Sequence, residues 1–177
     1  RADITEKCTE EFNTIAIWCS NEKCDAIYPQ SADFTFYGGL YRGAHLICVP
    51  ETHFELLHYG DLGIHAATEP ASWDKEDFML HIRTKICGVE KDNQVIYQIF
   101  DEDGKEVASA ARPADSPDTS IPLYKPHRWD IKNSYQYTLK ALIMRNNECL
   151  DEVELKFGVR TFCCDPGRGF LINGNCV

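Results

Sequence analysis

Alternation of apolar and polar side chains is the feature that most constrains the fold of this chain. The stretch FMLHIRTKIC, residues 78–87, places an apolar residue at every second position. A period of two is typical of a β-strand with one buried face, whereas an α-helix repeats every 3.6 residues. Helical periodicity is hard to find elsewhere in the sequence, so the pattern predicts an all-β protein.

Six further segments have strand patterns separated by turn residues. The turns include Asp101-Glu102-Asp103-Gly104, the proline-containing loop 111–120 and Asn146-Asn147. About seven short strands at hairpin spacing predict an immunoglobulin-like antiparallel β-sandwich. The predicted strands are 63–68, 78–87, 94–100, 106–109, 121–123, 135–143 and 153–157.

The acidic composition argues against two classes of partner. The 177 residues have a formal net charge of −10, and no stripe of Lys and Arg is visible. Nucleic acids and anionic membranes both favour clustered basic side chains. No apolar run approaches the roughly 18 residues of a membrane span, and the first residues lack a signal-peptide pattern. We therefore expect neither nucleic acid nor membrane as a partner.

The nine cysteines are scattered and form no CxxC pair. Cys163 and Cys164 are adjacent, so in a strand they point to opposite faces and are poorly placed to bind one zinc ion. An odd count in a chain long enough for its own core favours free thiols in a reducing cytoplasm. Cys87 and Cys149 are expected to act as small apolar fillers near strand ends.

Residues 1–50 have a different pattern. The segments NTIAIWCS (13–20) and AHLICV (44–49) are predicted strands, and a long irregular stretch separates them. Two strands alone do not bury enough surface to form a domain. We therefore expect this region to be the remainder of a larger domain, with strand edges that pack on the sandwich or on a second copy of the chain.

The last residues predict a hairpin. Asn173-Gly174 suits the two positive-φ positions of a type I′ turn, and GFLI (169–172) is the arriving strand. Only three residues remain for the return, so we expect the hairpin to lead into a further structure.

Three stretches resemble landmarks of glycoside hydrolase family 2, which includes β-galactosidases, β-glucuronidases and β-mannosidases. They are ADFTFYGGLYRGAHLICV (32–49), PHRWDIKNSYQYTLKALI (126–143) and FGVRTFCCDPGRGFLINGNCV (157–177). The resemblance implies that residues 1–50 end a sugar-binding jelly roll, 51–160 form the sandwich, and 161–177 lead into a catalytic TIM barrel. FTFYGGLYR is more similar to the galactosidase branch, although Gly43-Ala44 departs from the usual pair there.

The resemblance implies a retaining glycosidase as the parent enzyme, with this chain as a non-catalytic positioning segment. Such enzymes need two carboxyl groups about 5 Å apart, which project from barrel strands. The 28 Asp and Glu residues here fall mostly in turns and on polar faces. We expect the chain alone to be inactive and its partners to be the jelly roll and the barrel. The alternative is a free-standing carbohydrate-binding or adhesion module.

Asp33 is the one residue that the resemblance implies in substrate binding. Its position matches an aspartate that contacts a sugar hydroxyl in the barrel active site and, in some galactosidases, a sodium ion. A carboxylate suits either task because it accepts hydrogen bonds and supplies hard oxygen ligands. The alternative is that Asp33 caps a loop before Phe34. The chain itself is expected to hold no cofactor, whereas the parent enzyme would use sodium or magnesium.

Two other features receive structural interpretations. The resemblance implies that Trp129 packs between the two sheets rather than forming a sugar platform. The six histidines show no ligand spacing, and His81 falls on the polar face of its strand, so no metal or switch role is predicted.

Overall fold

The computed structural model describes residues 1–24, 26, 33 and 37–177. The chain divides into two compact units, one of residues 2–48 and one of residues 49–177 together with Arg1. In the described part, no helix is of the length and apolarity needed to cross a membrane.

The larger unit contains two main antiparallel sheets, as the alternation predicts. One has the strand order β6-β5-β8-β9 and the other has the order β2-β3-β7. Each of these seven strands overlaps one of the seven predicted segments, and the all-β sandwich prediction is confirmed. Their bounds are β2 Ile64–Pro70, β3 Phe78–Thr84, β5 Gln94–Phe100, β6 Glu106–Pro113, β7 Thr119–Leu123, β8 Tyr137–Arg145 and β9 Glu148–Phe157.

The core lies between these sheets and consists of the apolar half of each alternating pattern. Leu80 of β3, Ile99 of β5 and Leu139 of β8 have no solvent exposure. Burying a side chain of this size contributes roughly 1.5–3 kcal/mol, so the alternation explains which face of each strand is inside. Tyr97 is also fully buried, and its hydroxyl group bonds to Thr84 Oγ1 and the carbonyl oxygen of Pro117.

The predicted strand 78–87 is divided at Lys85. The backbone NH of Lys85 donates to Gly63 O, and its carbonyl accepts from Glu55 N. The chain then continues as β4 (Ile86–Cys87), which pairs with β1 (His53–Phe54) in a separate two-stranded sheet. Lys85 is therefore where one continuous alternating pattern changes from one sheet to another.

The final hairpin is confirmed and has one more strand than predicted. Asn173 and Gly174 have φ values of 50° and 80°, as a type I′ turn requires. The turn joins β11 (Gly169–Ile172) to β12 (Asn175–Cys176), and β10 (Phe162–Asp165) completes a three-stranded sheet. The sequence reasoning did not predict β10, which pairs with β11 through the Pro166-Gly167-Arg168 turn.

The strand predictions for 13–20 and 44–49 are wrong. Both segments are irregular and exposed along their whole length. The side chain of Trp18, for example, is 92% exposed. The alternating pattern was present, but the described residues of the smaller unit contain no strand that could pair with either segment, and a strand is stable only when it is hydrogen-bonded to a neighbouring strand.

Two side-chain predictions also need correction. Trp129 is half-buried outside the core cluster, because it packs against Gly158 while the Arg160 guanidinium stacks on its ring at 4.8 Å. Cys149 is exposed rather than a buried filler, and Cys87 is only half-buried. All nine cysteines are free thiols.

Candidate functional site

Asp33, the sequence-predicted substrate residue, lies exposed at a bend in the smaller unit. Phe34, the partner in the loop-capping alternative, lies outside the described residues. The aromatic residue before the Tyr37-Gly38-Gly39 bend, Phe36, also lies outside them. The sugar-binding role of Asp33 therefore stays a prediction.

Many other carboxylates support turns, as the sequence predicted. Asp101 Oδ1 accepts hydrogen bonds from the backbone NH groups of Asp103 and Lys105. Asp165 Oδ1 does the same for Gly167 and Arg168. Charged acceptors of this kind stabilise tight turns by pairing with backbone donors.

The buried Asp77 connects separate segments of the sandwich. Its Oδ2 accepts from Trp73 Nε1 at 2.9 Å and its Oδ1 accepts from Lys125 N at 3.0 Å. Asp151 acts similarly on Phe54 N, across 97 residues of sequence. Because both oxygens of each carboxylate accept a hydrogen bond from the protein, these contacts give the two residues a structural role in the described chain.

The three-stranded sheet at 162–176 is fixed to the sandwich by Asn173. Its Nδ2 donates to the carbonyl oxygen of Trp129 at 2.9 Å, and its Oδ1 accepts from Thr161 N at 3.0 Å. Leu171 is 1% exposed, whereas Phe162 and Phe170 are 69% and 44% exposed. The sheet therefore has one anchored face and one exposed face with a pair of aromatic rings, whose centroids are 6.4 Å apart.

Three residues to which the sequence analysis gave no role converge where the loop before β2 meets the start of that strand. His58 Nδ1 lies 2.8 Å from Asp61 Oδ2, and His65 Nε2 lies 2.9 Å from the same oxygen. The prediction that the histidines lack ligand spacing is therefore wrong for this pair. We call His58, Asp61 and His65 the His-Asp-His cluster.

Left-handed backbone positions build the cluster. Tyr59 and Gly60 have φ values of 50° and 72°, and Asp61 N donates to His58 O across the turn. This geometry reverses the chain so that residues three apart in sequence face each other. Asp61 Oδ1 accepts from Gly63 N at 2.8 Å, which leaves Oδ2 directed at the two imidazoles.

Gly63 is required for this arrangement. Its φ is +69°, and an added Cβ atom would lie 2.7 Å from Glu55 N. The signal in the sequence was thus the pair of glycines around Asp61, and not the linear spacing of the histidines. The hydrogen bond from His58 and the backbone NH of Gly63 lower the pKa of the Asp61 carboxyl group.

A match to a known protein family identifies the family of this chain. The model of the family described as glycosyl hydrolases family 2 matches residues 67–160, more than half of the chain. The chain belongs to glycosyl hydrolase family 2.

Individual relatives within family 2 carry both galactosidase and glucuronidase names. The β-galactosidase BoGH2A of Bacteroides ovatus is 30% identical over 128 residues, which are 67% of this chain and 15% of the relative. A β-glucuronidase of Bacteroides fragilis is 26% identical over 174 residues, which are 93% of this chain and 25% of the relative. This family 2 chain thus spans a quarter or less of these curated relatives.

A solved β-glucuronidase structure matches most of the chain. The FMN-binding β-glucuronidase from Facaelibacterium prausnitzii L2-6 superposes with a TM-score of 0.84 and 41% sequence identity. The match covers 89% of this chain and 24% of that protein. The galactosidase branch that FTFYGGLYR indicated is therefore not confirmed, since the relatives include glucuronidases as well as galactosidases.

Proposed function

We propose that this chain is a non-catalytic positioning segment of a larger family 2 glycosidase that hydrolyses β-linked galactosides or glucuronides. The observation that carries the proposal is the anchored sheet at 162–176. Asn173 ties this sheet to Trp129 of the sandwich, while Phe162 and Phe170 are exposed on it. A sheet that is hydrogen-bonded to the sandwich and has an exposed aromatic pair is suited to orient a following domain.

The partners in this proposal are the jelly roll and the catalytic barrel of the same polypeptide. Asp33 would contact a sugar hydroxyl in the parent enzyme, and a sodium or magnesium ion would be bound there rather than by the sandwich. Asp77 and Asp101 of the sandwich already accept hydrogen bonds from backbone NH groups, and Asp77 also accepts one from the Trp73 indole, which supports a structural assignment for them. A cytoplasmic location of the parent enzyme is part of the same proposal, and the unpaired cysteines support it.

The test uses the complete polypeptide encoded by the gene. Nitrophenyl β-galactoside and nitrophenyl β-glucuronide are assayed with the wild type and with the Phe162→Ala/Phe170→Ala double variant. We expect one substrate to be turned over, and the double variant to lose both activity and thermal stability because the next domain loses its contact. Val107→Ala, a 45% exposed apolar residue on β6, is the matched control and is expected to be neutral.

Three results would contradict the proposal. A double variant that keeps full activity would remove the docking role of the aromatic pair. Hydrolysis by the 177-residue chain alone, abolished by changing one of its own carboxylates, would make it an enzyme. Glycan binding by the isolated chain, without any effect of the double variant on the complete polypeptide, would favour the alternative of a carbohydrate-binding or adhesion module.

A further inference from the structure

The His-Asp-His cluster has the ligand set of a metal site. Imidazole nitrogen binds zinc, copper, nickel and iron well, and two histidines with one carboxylate recur as three-ligand sites that leave positions open. His58 and Asp61 are roughly three-quarters shielded from solvent, with side-chain exposures of 28% and 24%. His65, at the start of β2, is 46% exposed and forms the open side.

The distances between ligand atoms agree with binding to one ion. Ligands about 2.1 Å from a metal are separated by about 3.0 Å when they are cis in an octahedron and by about 3.4 Å in a tetrahedron. Asp61 Oδ2 lies 2.8 Å and 2.9 Å from the two imidazole nitrogens. The three ligand atoms, one from each residue, all lie within 4.8 Å of one another. Shifts of less than about 1 Å would therefore bring all three atoms to binding distance of a single ion.

The backbone fixes the carboxylate in the orientation that metal binding requires. Gly63 N holds Asp61 Oδ1, and Lys85 N in turn holds Gly63 O at 2.8 Å. Outer hydrogen bonds of this kind orient metal ligands and raise affinity. The two imidazole rings stand at 81° to each other with centroids 5.6 Å apart, so both rings can direct a nitrogen to one point without stacking.

We propose that His58, Asp61 and His65 form a binding site for a single divalent transition-metal ion, with zinc as the ion of matching ligand chemistry. The site spans the loop that connects β1 to β2, which carries His58 and Asp61, and the start of β2, which carries His65. An ion there would join the loop to the first residues of the sandwich strand. This proposal does not depend on the glycosidase assignment, because every ligand lies within the described sandwich unit.

The test is zinc titration by calorimetry on the chain with its thiols alkylated, since nine free cysteines would otherwise compete for the ion. We expect one equivalent to bind to the wild type. His65→Gln and Asp61→Asn should each weaken binding by at least the roughly 10–100-fold that loss of an outer-shell partner alone costs. His81→Gln is the matched control, because His81 Nε2 also contacts a carboxylate, Glu69 Oε1 at 2.9 Å, without a second histidine.

A second measurement on the unmutated chain covers the case in which a variant misfolds. Copper(II) bound to the alkylated chain should give an electron paramagnetic resonance spectrum with splitting from two imidazole nitrogens. A spectrum with one or no such nitrogen would overturn the proposal. Equal zinc affinity in the wild type and His65→Gln, or an equal loss in His81→Gln, would also overturn it and leave the cluster as a hydrogen-bonded group.

Discussion

Segments 13–20 and 78–84 have similar alternating patterns, but only the second is a strand. In β3, Leu80 and Ile82 are 0% and 1% exposed, whereas Ile15 and Ile17 in the first segment are 62% and 52% exposed. The difference is the presence of neighbours, since β3 pairs with β2 on one edge and β7 on the other. The alternating pattern thus predicts which face of a segment can be buried. Whether the segment forms a strand depends on hydrogen bonds to neighbouring strands.

Hydrogen exchange should show the largest difference between the two regions. Backbone NH groups of 78–84 and 137–145 are expected to exchange only on global opening, which for domains costs about 5–15 kcal/mol. Residues 13–20 and 44–49 should exchange with almost no protection. Mass-spectrometric exchange on a dilute monomer measures both. Equal slow exchange in all four segments would mean that residues 2–48 form a complete small domain under those conditions.

Truncation of an apolar side chain should distinguish the regions next. Leu80→Ala is expected to cost about 2–5 kcal/mol of unfolding free energy, because it leaves a cavity between the sheets. Trp18→Ala removes a larger side chain, yet its 92% exposure predicts a change within about 0.5 kcal/mol. Urea denaturation of the chain gives both values. A large loss for Trp18→Ala would show that this residue packs in solution.

Glycine substitution sharpens the comparison within the sandwich unit. At Gly88, where φ is +63°, an added Cβ would lie 2.3 Å from Glu51 O, so Gly88→Ala should cost more than about 3 kcal/mol. Gly104 also has positive φ, but no atom lies within 4 Å of its added Cβ. Gly104→Ala should therefore cost only the roughly 1–2 kcal/mol of backbone strain. Equal losses of stability for the two variants in thermal unfolding would contradict the predicted clash with Glu51 O.

The smallest expected effect is a pH dependence at Tyr97. Burial raises the pKa of Tyr97 to about 12, above the ordinary value of about 10. The folded state therefore holds this proton more tightly, and the resulting stability is complete below about pH 10 and lost as the pH rises towards about 12. Tyr97→Phe cannot ionise, so its urea midpoint should fall less than that of the wild type between about pH 9 and pH 11.

The control for this prediction is Tyr124→Phe, at a 72% exposed position. Its midpoint should follow the wild type through the same pH range. If Tyr97→Phe and Tyr124→Phe lose stability equally with pH, the alkaline effect comes from other groups.

The sandwich was well predicted from the sequence because the patterns that specify its strands and turns lie within short segments of the chain. Residues of β3, β5 and β8 show their burial in the alternation itself, and Asn146-Asn147 and Asn173-Gly174 specify their turns by tolerance of positive φ. The change of sheet at Lys85 was not predictable in the same way, since it depends on Glu55 and Gly63 from a distant segment.

The candidate sites were less predictable for a related reason. Asp33 was named only through resemblance, and nothing in its local pattern distinguishes it from a turn aspartate. The His-Asp-His cluster was missed because its ligands come together through left-handed residues at Tyr59 and Gly60, which a search for regular spacing ignores. Trp129 was assigned to the core through the same resemblance, whereas its contacts with Gly158 and Arg160 hold it at the margin of the core.

The hydrogen bonds of Asn173 also affect how fast this residue is deamidated. An asparagine followed by glycine is the pair most open to deamidation, because the glycine nitrogen can attack the unhindered side-chain carbonyl carbon and form a succinimide. In this turn the Asn173 amide is held at both ends, by Thr161 N and by Trp129 O. The hydrogen bonds that fix the last sheet therefore also slow the deamidation of Asn173, and we expect deamidation to become faster when that sheet detaches from the sandwich.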